Sequence, residues 1–493
     1  MKILMVSPEM APYAKVGGLG DVVGALAKEL AALGHEVRVV IPLYGLLKPE
    51  KSWVAFPEPV TVTLGGWREE FCRVWEATPP GSKASVNFVE FNRYFARPGI
   101  YGAHGGVFSD NHERFTFLCR AALDWCYARE WHPDIVHSHD WATALTAVYL
   151  NTTDRHRPLG RAASVFTIHN LQHQGYFGRE LLDFAGLPQD LFRPDNLECL
   201  GAVNLMKGGI YHATKITTVS RNYAREIQTP EGGCGLHHVL RYRAADLIGV
   251  VNGIDPDEWS PVTDRHLPAH FNATDLAGKA VCKAALQKRF ALAQENVPIF
   301  AAVARLVDQK GLDLLAAIVP SLMEEMRAQV VILGTGDPAL EQSFIHLAKR
   351  YPGRVGAFIG FDEGIAHLIE AGADFFVMPS RFEPCGLNQM YSQVYGTPPI
   401  VRATGGLVDT VDQYLEGKGR GTGFLFYEPT ARALFHACRW AAGTYRDRPD
   451  DLLALRRNGM NKDFSWTQSA RQYADIYGWA VQQRLGDIAA KSK

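Results

Sequence analysis

Short apolar runs recur along this chain, each ending in a Gly-, Pro- or Asx-containing loop and leading into a stretch with helical spacing. Ile3–Val6 is such a run, followed by a loop over residues 7–20 and then by Val22, Val23, Leu26, Leu30 and Leu33 at helical intervals. Asp21 is placed to cap that helix and Gly34 to end it, and Glu36–Ile41 is the next strand, closed by Pro42. Asp134–His137 and Ser164–Ile168 continue the series. The second half repeats it more regularly, with strands expected at Ile299–Ala304, Gln329–Leu333, Val355–Ile359, Asp374–Met378, Pro399–Val401 and Gly423–Phe426. Helices are expected between them near 311–327, 338–350, 364–371, 386–396, 406–416 and 430–443. Strands alternating with helices of this length predict doubly wound parallel sheets, hence an α/β fold with two Rossmann-like domains. The irregular, polar segment 252–297 is read as the connection, dividing domain 1–251 from domain 252–463. Ligands of open α/β sheets bind outside the carboxyl ends of the strands, so two such sheets are expected to face a central cleft.

Composition narrows the function classes. Among 493 residues, 51 Lys+Arg oppose 52 Asp+Glu, so the basic excess that neutralises many phosphates is missing and no nucleic-acid partner is expected. No apolar run approaches the length of a membrane span, so no membrane partner is expected either. The eight cysteines contain no C-x-x-C pair, and Cys119 and Cys126 fall in an apolar helical stretch. That pattern reads as reduced core thiols and a cytoplasmic address.

Six loops carry chemistry. Lys15-Val16-Gly17-Gly18-Leu19-Gly20-Asp21 opens the first helix, but Gly24 comes one position late for a dinucleotide fingerprint and no acidic residue closes the second strand. What remains is a glycine loop with a lysine beside it, suited to an anion or a sugar near backbone. Arg305 and Lys310 follow a buried strand, where fixed cations can stabilise a departing diphosphate, although surface exposure is the commoner fate of such residues. Ser380-Arg381-Phe382-Glu383-Pro384-Cys385-Gly386-Leu387 places a carboxylate at a strand end beside a helix start, and Thr404-Gly405-Gly406-Leu407 is a second glycine turn whose amides could cradle phosphate. His137-Ser138-His139-Asp140-Trp141 and Thr167-Ile168-His169-Asn170 end strands; alternation of side chains argues against a metal there, and none is expected. Asp255-Pro256-Asp257 is read as a loop cap.

Taken in order, these loops resemble the bacterial glycogen synthases and plant starch synthases, retaining ADP-glucose-dependent enzymes of glycosyltransferase family 5. The resemblance spans essentially the whole chain, adding Asn204-Leu205-Met206-Lys207-Gly208-Gly209, Thr218-Val219-Ser220, Val251-Asn252-Gly253-Ile254-Asp255 and Gly334-Thr335-Gly336-Asp337. It implies a GT-B fold, with the stretch 464–493 crossing back as helix onto the first domain, which takes the acceptor side while the second holds the nucleotide sugar. It implies transfer of glucose from ADP-glucose to the non-reducing end of an α-1,4-glucan such as glycogen, with retention and without a cofactor. Carried over residue by residue, Arg305 and Lys310 bind the diphosphate, helped by the amides of Gly405 and Gly406 after Thr404. Glu383 holds glucose hydroxyls, beside Ser380, Cys385, Gly386 and Leu387, and His169 and Asn252 place the sugar. Asp140 lies near the transferring carbon, Lys15, Gly18, Asp21 and Trp141 line the first domain's wall, and Phe361 stacks on the base.

Two departures mark this chain: Val16 stands where the family loop has threonine, and Gly235-Leu236-His237-His238-Val239 differs from the usual acidic-glycine version. Tyr391 occupies the second position of the broader retaining E-x7-E pattern, a glutamate that this family commonly lacks. No obvious nucleophile is present, which favours front-side attack with the departing phosphate as base. Rival readings are a related GT-B transferase using UDP-glucose or another acceptor, an NAD-dependent oxidoreductase (disfavoured by the broken fingerprint), and an inactive glucan-binding protein.

Overall fold

The computed structural model describes residues 1–103 and 105–491; the last two residues of the expected C-terminal stretch lie outside these. The chain forms two compact units, one of Met1–Gly253 joined by the segment from Trp466, the other of Ile254–Ser465.

In the first unit the sheet grows in both directions from strand Lys2–Val6. Glu36–Pro42 and Ser85–Glu90 follow on one side; Ile135–His139, Ala163–Ile168, Lys215–Thr218 and Leu247–Gly249 follow on the other. These strands run parallel, and the order reverses between Lys2–Val6 and Ile135–His139, where Ile3 pairs with Ile135 and Val6 with Ser138. That reversal is the point at which an open sheet gathers ligand groups. Helix Gly18–Ala32 and the C-terminal helix Trp466–Lys491 share one core with the sheet, through Val22, Val23, Leu26 and Leu30 on the former and Tyr473, Ile476, Tyr477 and Ala480 on the latter.

Past Ser85–Glu90 the sheet turns antiparallel, with Glu69–Ala77 pairing Ser85–Glu90 and Val60–Thr63 pairing Glu69–Ala77. Val60–Thr63 alternates buried and exposed residues, as a strand wet on one face does. Such a strand writes no continuous apolar run, unlike one buried on both faces.

The second unit holds a six-stranded, all-parallel sheet in the order Val355–Ile359, Gln329–Gly334, Ile299–Val303, Phe375–Met378, Pro399–Arg402, Phe424–Phe426. Its order reverses between Ile299–Val303 and Phe375–Met378, and the loops carrying Arg305, Lys310 and Glu383 leave those two strands at their carboxyl ends.

Three local expectations are corrected. The first helix starts at Gly18 with Gly17 at its cap, so Asp21 lies inside the first turn and caps nothing. The expected helix over 406–416 ends at Thr410, because the chain turns out at Val411 and bridges Gln413 to Gly423. Residues from Ile254 onward belong to the second unit, so most of 252–297 is not a linker. Its helix Ala277–Arg289 buries Cys282 and Leu286, and Lys279 is buried with Nζ donating to the carbonyls of Ala371 (2.8 Å) and Tyr395 (2.9 Å) and to Thr397 Oγ1 (2.6 Å). Three acceptors meet its three donors, so a lysine that reads as surface charge is a buried tie.

Candidate functional site

In the first unit the loop after Lys2–Val6 folds over Glu9, which is 3% exposed. One carboxylate oxygen accepts the amides of Val16 (2.6 Å) and Gly17 (3.2 Å), and the other accepts the Tyr101 hydroxyl at 2.7 Å. Burial raises the Glu9 carboxyl above its ordinary value against the pull of those donors. The glycine loop was expected to offer its backbone to an anion; two of its amides are instead bound to the protein's own carboxylate. Gly20 lets the helix press on this loop, since a Cβ there would stand 2.7 Å from that of Lys15. Lys15 Nζ lies 2.9 Å from Asp21 Oδ1, both at the surface, with Gly18 exposed between them.

Across the reversal, Asp140 ends strand Ile135–His139 with φ +57° and ψ −178°, a backbone state that is essentially glycine's. Its Oδ1 accepts the amides of His169 (2.7 Å) and Asn170 (3.4 Å), which locks two strand ends together. Burial pushes the Asp140 carboxyl up to about 7, with the two amides opposing. His169 Nε2 is 3.0 Å from His139 Nδ1. Behind them His137 bonds Thr167 Oγ1 at 2.6 Å and the Tyr477 hydroxyl of the C-terminal helix at 2.7 Å. Burial lowers His137 and His169 to about 3 and His139 well below its ordinary value, so all three are neutral near pH 7. Trp141 packs among Phe115, Phe177 and Tyr101. Asn252 is 7% exposed, and its side-chain oxygen has no partner among the described residues.

In the second unit, loops from adjacent strands interlock. Gly311 takes φ +63°, and a Cβ there would meet the Pro379 carbonyl at 2.1 Å, so only glycine lets the loops after Ile299–Val303 and Phe375–Met378 touch. Arg381 N donates to Gln309 O at 2.8 Å. Lys310 Nζ then reaches Glu383 Oε2 at 2.7 Å, and Ser380 Oγ donates to the same oxygen at 3.0 Å. The resemblance assigned Lys310 and Glu383 to different parts of a substrate; here they hold each other. Arg305 is exposed, with no ion-pair partner among the described residues. Gly405 and Gly406 let the third loop lie against Glu383–Cys385. The Gly406 amide donates to the carbonyls of Glu383 (3.1 Å) and Pro384 (3.2 Å), which corrects the expectation that it faces phosphate. Thr404 and Cys385 are buried, and Gly386 (φ +75°) and Leu387 precede helix Asn388–Val394. Phe361 stands apart, 78% exposed after strand Val355–Ile359.

Glu9, Tyr101 and Tyr477 were not found from the sequence, and His139 was weighed there only as a metal ligand. Glu9 carried a usable signal, a carboxylate at the mouth of the first strand; Tyr101 and Tyr477 reach the site only through tertiary packing.

Residues 2–242 match the family model of the starch synthase catalytic domain, and residues 285–443 that of glycosyl transferases group 1. A glycogen synthase 1 of Geobacter sulfurreducens is 47% identical over 489 residues, 99% of this chain and 97% of that protein. A glycogen synthase of Myxococcus xanthus is 46% identical over 479 residues, 97% and 99% of the two chains. The catalytic domain of starch synthase IV from Arabidopsis thaliana, solved with ADP and acarbose, superposes with a TM-score of 0.89 at 35% identity, covering 97% of this chain and 99% of that one. Sucrose-phosphate synthase from Thermosynechococcus elongatus, at 18% identity and a TM-score of 0.59 over 97% and 98% of the two chains, shares the fold alone.

Proposed function

The chain belongs to the glycogen synthase and starch synthase family of glucosyltransferases, and on that premise we propose which of its groups perform the transfer. It moves glucosyl groups in glycogen synthesis. The donor is ADP-glucose and the acceptor the non-reducing end of an α-1,4-glucan. The second unit takes the nucleotide sugar, with Arg305 and Lys310 on the diphosphate, Glu383 on the glucose hydroxyls and Phe361 against the base. The first unit serves the glucan and the transferring carbon, through Asp140, His169, Trp141, Asn252 and the edge formed by Lys15, Gly18 and Asp21.

The observation that carries this reading is the cluster Lys310–Glu383–Ser380, with exposed Arg305 on the same loop as Lys310, at the strand-order reversal of the second sheet. Incoming phosphate competes with Glu383 for Lys310, which couples donor binding to release of the carboxylate toward the sugar. As the bond from the anomeric carbon to phosphate oxygen breaks, charge builds on the diphosphate and fixed cations stabilise it. The acceptor hydroxyl attacks from the same face, its oxygen bonds the anomeric carbon, and its proton passes to the departing phosphate. No covalent sugar–enzyme bond is needed, and the configuration is kept.

The test is donor choice. With purified protein and glycogen, kcat/KM for ADP-glucose is expected to exceed that for UDP-glucose by a large factor. Equal or better use of UDP-glucose would favour the alternative GT-B transferase. A second expectation is that transfer proceeds without a metal, because Arg305 and Lys310 supply the charge that a bound ion supplies elsewhere. Dialysis against EDTA should leave the rate nearly unchanged; a loss restored by Mg²⁺ or Mn²⁺ would contradict it. The cytoplasm is the proposed location. Among the described residues no helix is long and apolar enough to cross a membrane, and the eight cysteines are free thiols.

A further inference from the structure

Within the second unit, but apart from the loops just described, His266, Glu363 and His367 each bring a ligand atom within 4.8 Å of the others. Glu363 and His367 are four apart on helix Glu363–Gly372, hence on one face, and His266 comes from the preceding segment. Their separation in sequence hides the group from any spacing rule.

His367 is the fixed member. It is 1% exposed, its ring stacks on Trp259 with centroids 3.9 Å apart and planes 10° apart, and its Nδ1 lies 2.7 Å from Asp264 Oδ2. Asp264 also accepts the Tyr395 hydroxyl at 2.5 Å and the His266 amide at 2.8 Å. Asp264 Oδ2 accepts at Nδ1, which leaves Nε2 as the ring nitrogen open to a ligand. That Nε2 is buried and has no hydrogen-bond partner among the described residues. A carboxylate behind an imidazole whose other nitrogen is unoccupied is the arrangement that orients a metal-ligating histidine.

We propose that His266, Glu363 and His367 bind a Zn²⁺ ion, with Asp264 positioning His367. Two imidazoles and one carboxylate suit zinc, whereas Mg²⁺ and Ca²⁺ prefer all-oxygen shells. Tetrahedral donors at about 2.1 Å from zinc lie about 3.4 Å from one another, so no pair of ligand atoms need close by more than roughly 1.4 Å. Exposed Glu363 and half-buried His266 supply that movement while His367 stays in place. Arg265 Nε donates to His266 Nε2 at 3.3 Å in an exposed contact and must turn away when the ion enters. The ion would tie the segment around His266 to the start of the helix that follows Phe361. It is a structural tie and takes no part in glucosyl transfer.

The full chain, stripped with chelator and dialysed, is titrated with Zn²⁺ by calorimetry and with Co²⁺ as a visible-absorbing surrogate. The wild type is expected to take up a single ion and to show a cobalt spectrum of nitrogen and oxygen ligation without a thiolate band. His266→Ala and Glu363→Gln should weaken uptake at least tenfold while keeping wild-type Tm in EDTA and wild-type transfer rate. Asp264→Asn should weaken it by about 10–100-fold, as loss of an orienting carboxylate does. Arg265→Ala should bind as tightly as wild type or more tightly. No Zn²⁺ uptake at micromolar concentration overturns the proposal. So does equal uptake by the wild type and the His266→Ala and Glu363→Gln variants, or a thiolate–cobalt band pointing to exposed Cys234. Mg²⁺ bound as tightly as Zn²⁺ would overturn the assignment of the metal.

Discussion

Lys310→Ala and Arg305→Ala are each expected to lower kcat by on the order of 10²–10³, the usual effect of removing one preorganised charge partner from a developing anion. Charge grows on the diphosphate only as the glucosyl bond breaks, so these cations stabilise that state more than the bound donor and act on kcat beyond any effect on binding. The two variants should differ in stability. Lys310 is the cation on Glu383, which is 5% exposed, so its loss leaves a buried carboxylate with no cation among the described residues and should lower Tm. Arg305 is exposed and its loss should leave Tm near wild type. Adding Glu383→Gln to Lys310→Ala should recover Tm, which would trace the stability loss to the unpaired carboxylate. Lys310→Arg should restore part of the rate, since a guanidinium fork does not replace a compact ammonium. Glycogen affinity by co-sedimentation should change little in all of them. Near-normal kcat with only a raised donor KM would make both residues ordinary binding groups.

Asp140→Asn is expected to abolish most transfer while stabilising the fold at alkaline pH. The native carboxyl is held at about 7 against an ordinary 3.8, so its ionised form is disfavoured in the folded chain by on the order of 4 kcal/mol. The sign follows directly: this group's contribution to stability is fully present below 3.8, is lost as pH rises to about 7, and is level above that. Asparagine carries no charge and keeps an oxygen for the amides of His169 and Asn170. Tm of the variant should therefore exceed wild type at pH 8 and match it near pH 4. A buried, conformationally strained aspartate that costs stability is what a functional group looks like when packing over-determines it. If its negative charge stabilises the cationic sugar ring, wild-type kcat should fall tenfold per pH unit as the medium is acidified below about 7. A flat profile from pH 8 to 5.5, or an active Asp140→Asn variant, would remove Asp140 from the chemistry.

The parallel strands were legible because both faces of each are buried, which writes continuous apolar runs such as Ile3–Val6 and Ile299–Val303. Glu69–Ala77 was not, since a mostly half-wet strand alternates and resembles a loop in a scan for such runs. In the site, the resemblance picked out the loops but could not tell which backbone groups are already used. The Gly406 amide serves the Glu383 carbonyl, and the amides of Val16 and Gly17 serve Glu9, through contacts that no local pattern encodes. Lys279 and His367 make the same point: a polar residue in a helix reads as surface until the acceptors around it are seen.

Proton NMR of the product tests α-retaining glucosyl transfer from ADP-glucose to an α-1,4-glucan most directly. Purified protein is incubated with ADP-glucose and a short maltooligosaccharide, and the anomeric signals are followed alongside released ADP. New α-1,4 anomeric protons should grow in step with ADP, one linkage for each nucleotide released. Release of ADP with free glucose alone, a β-linked product, or no turnover with ADP-glucose would rule out this reaction.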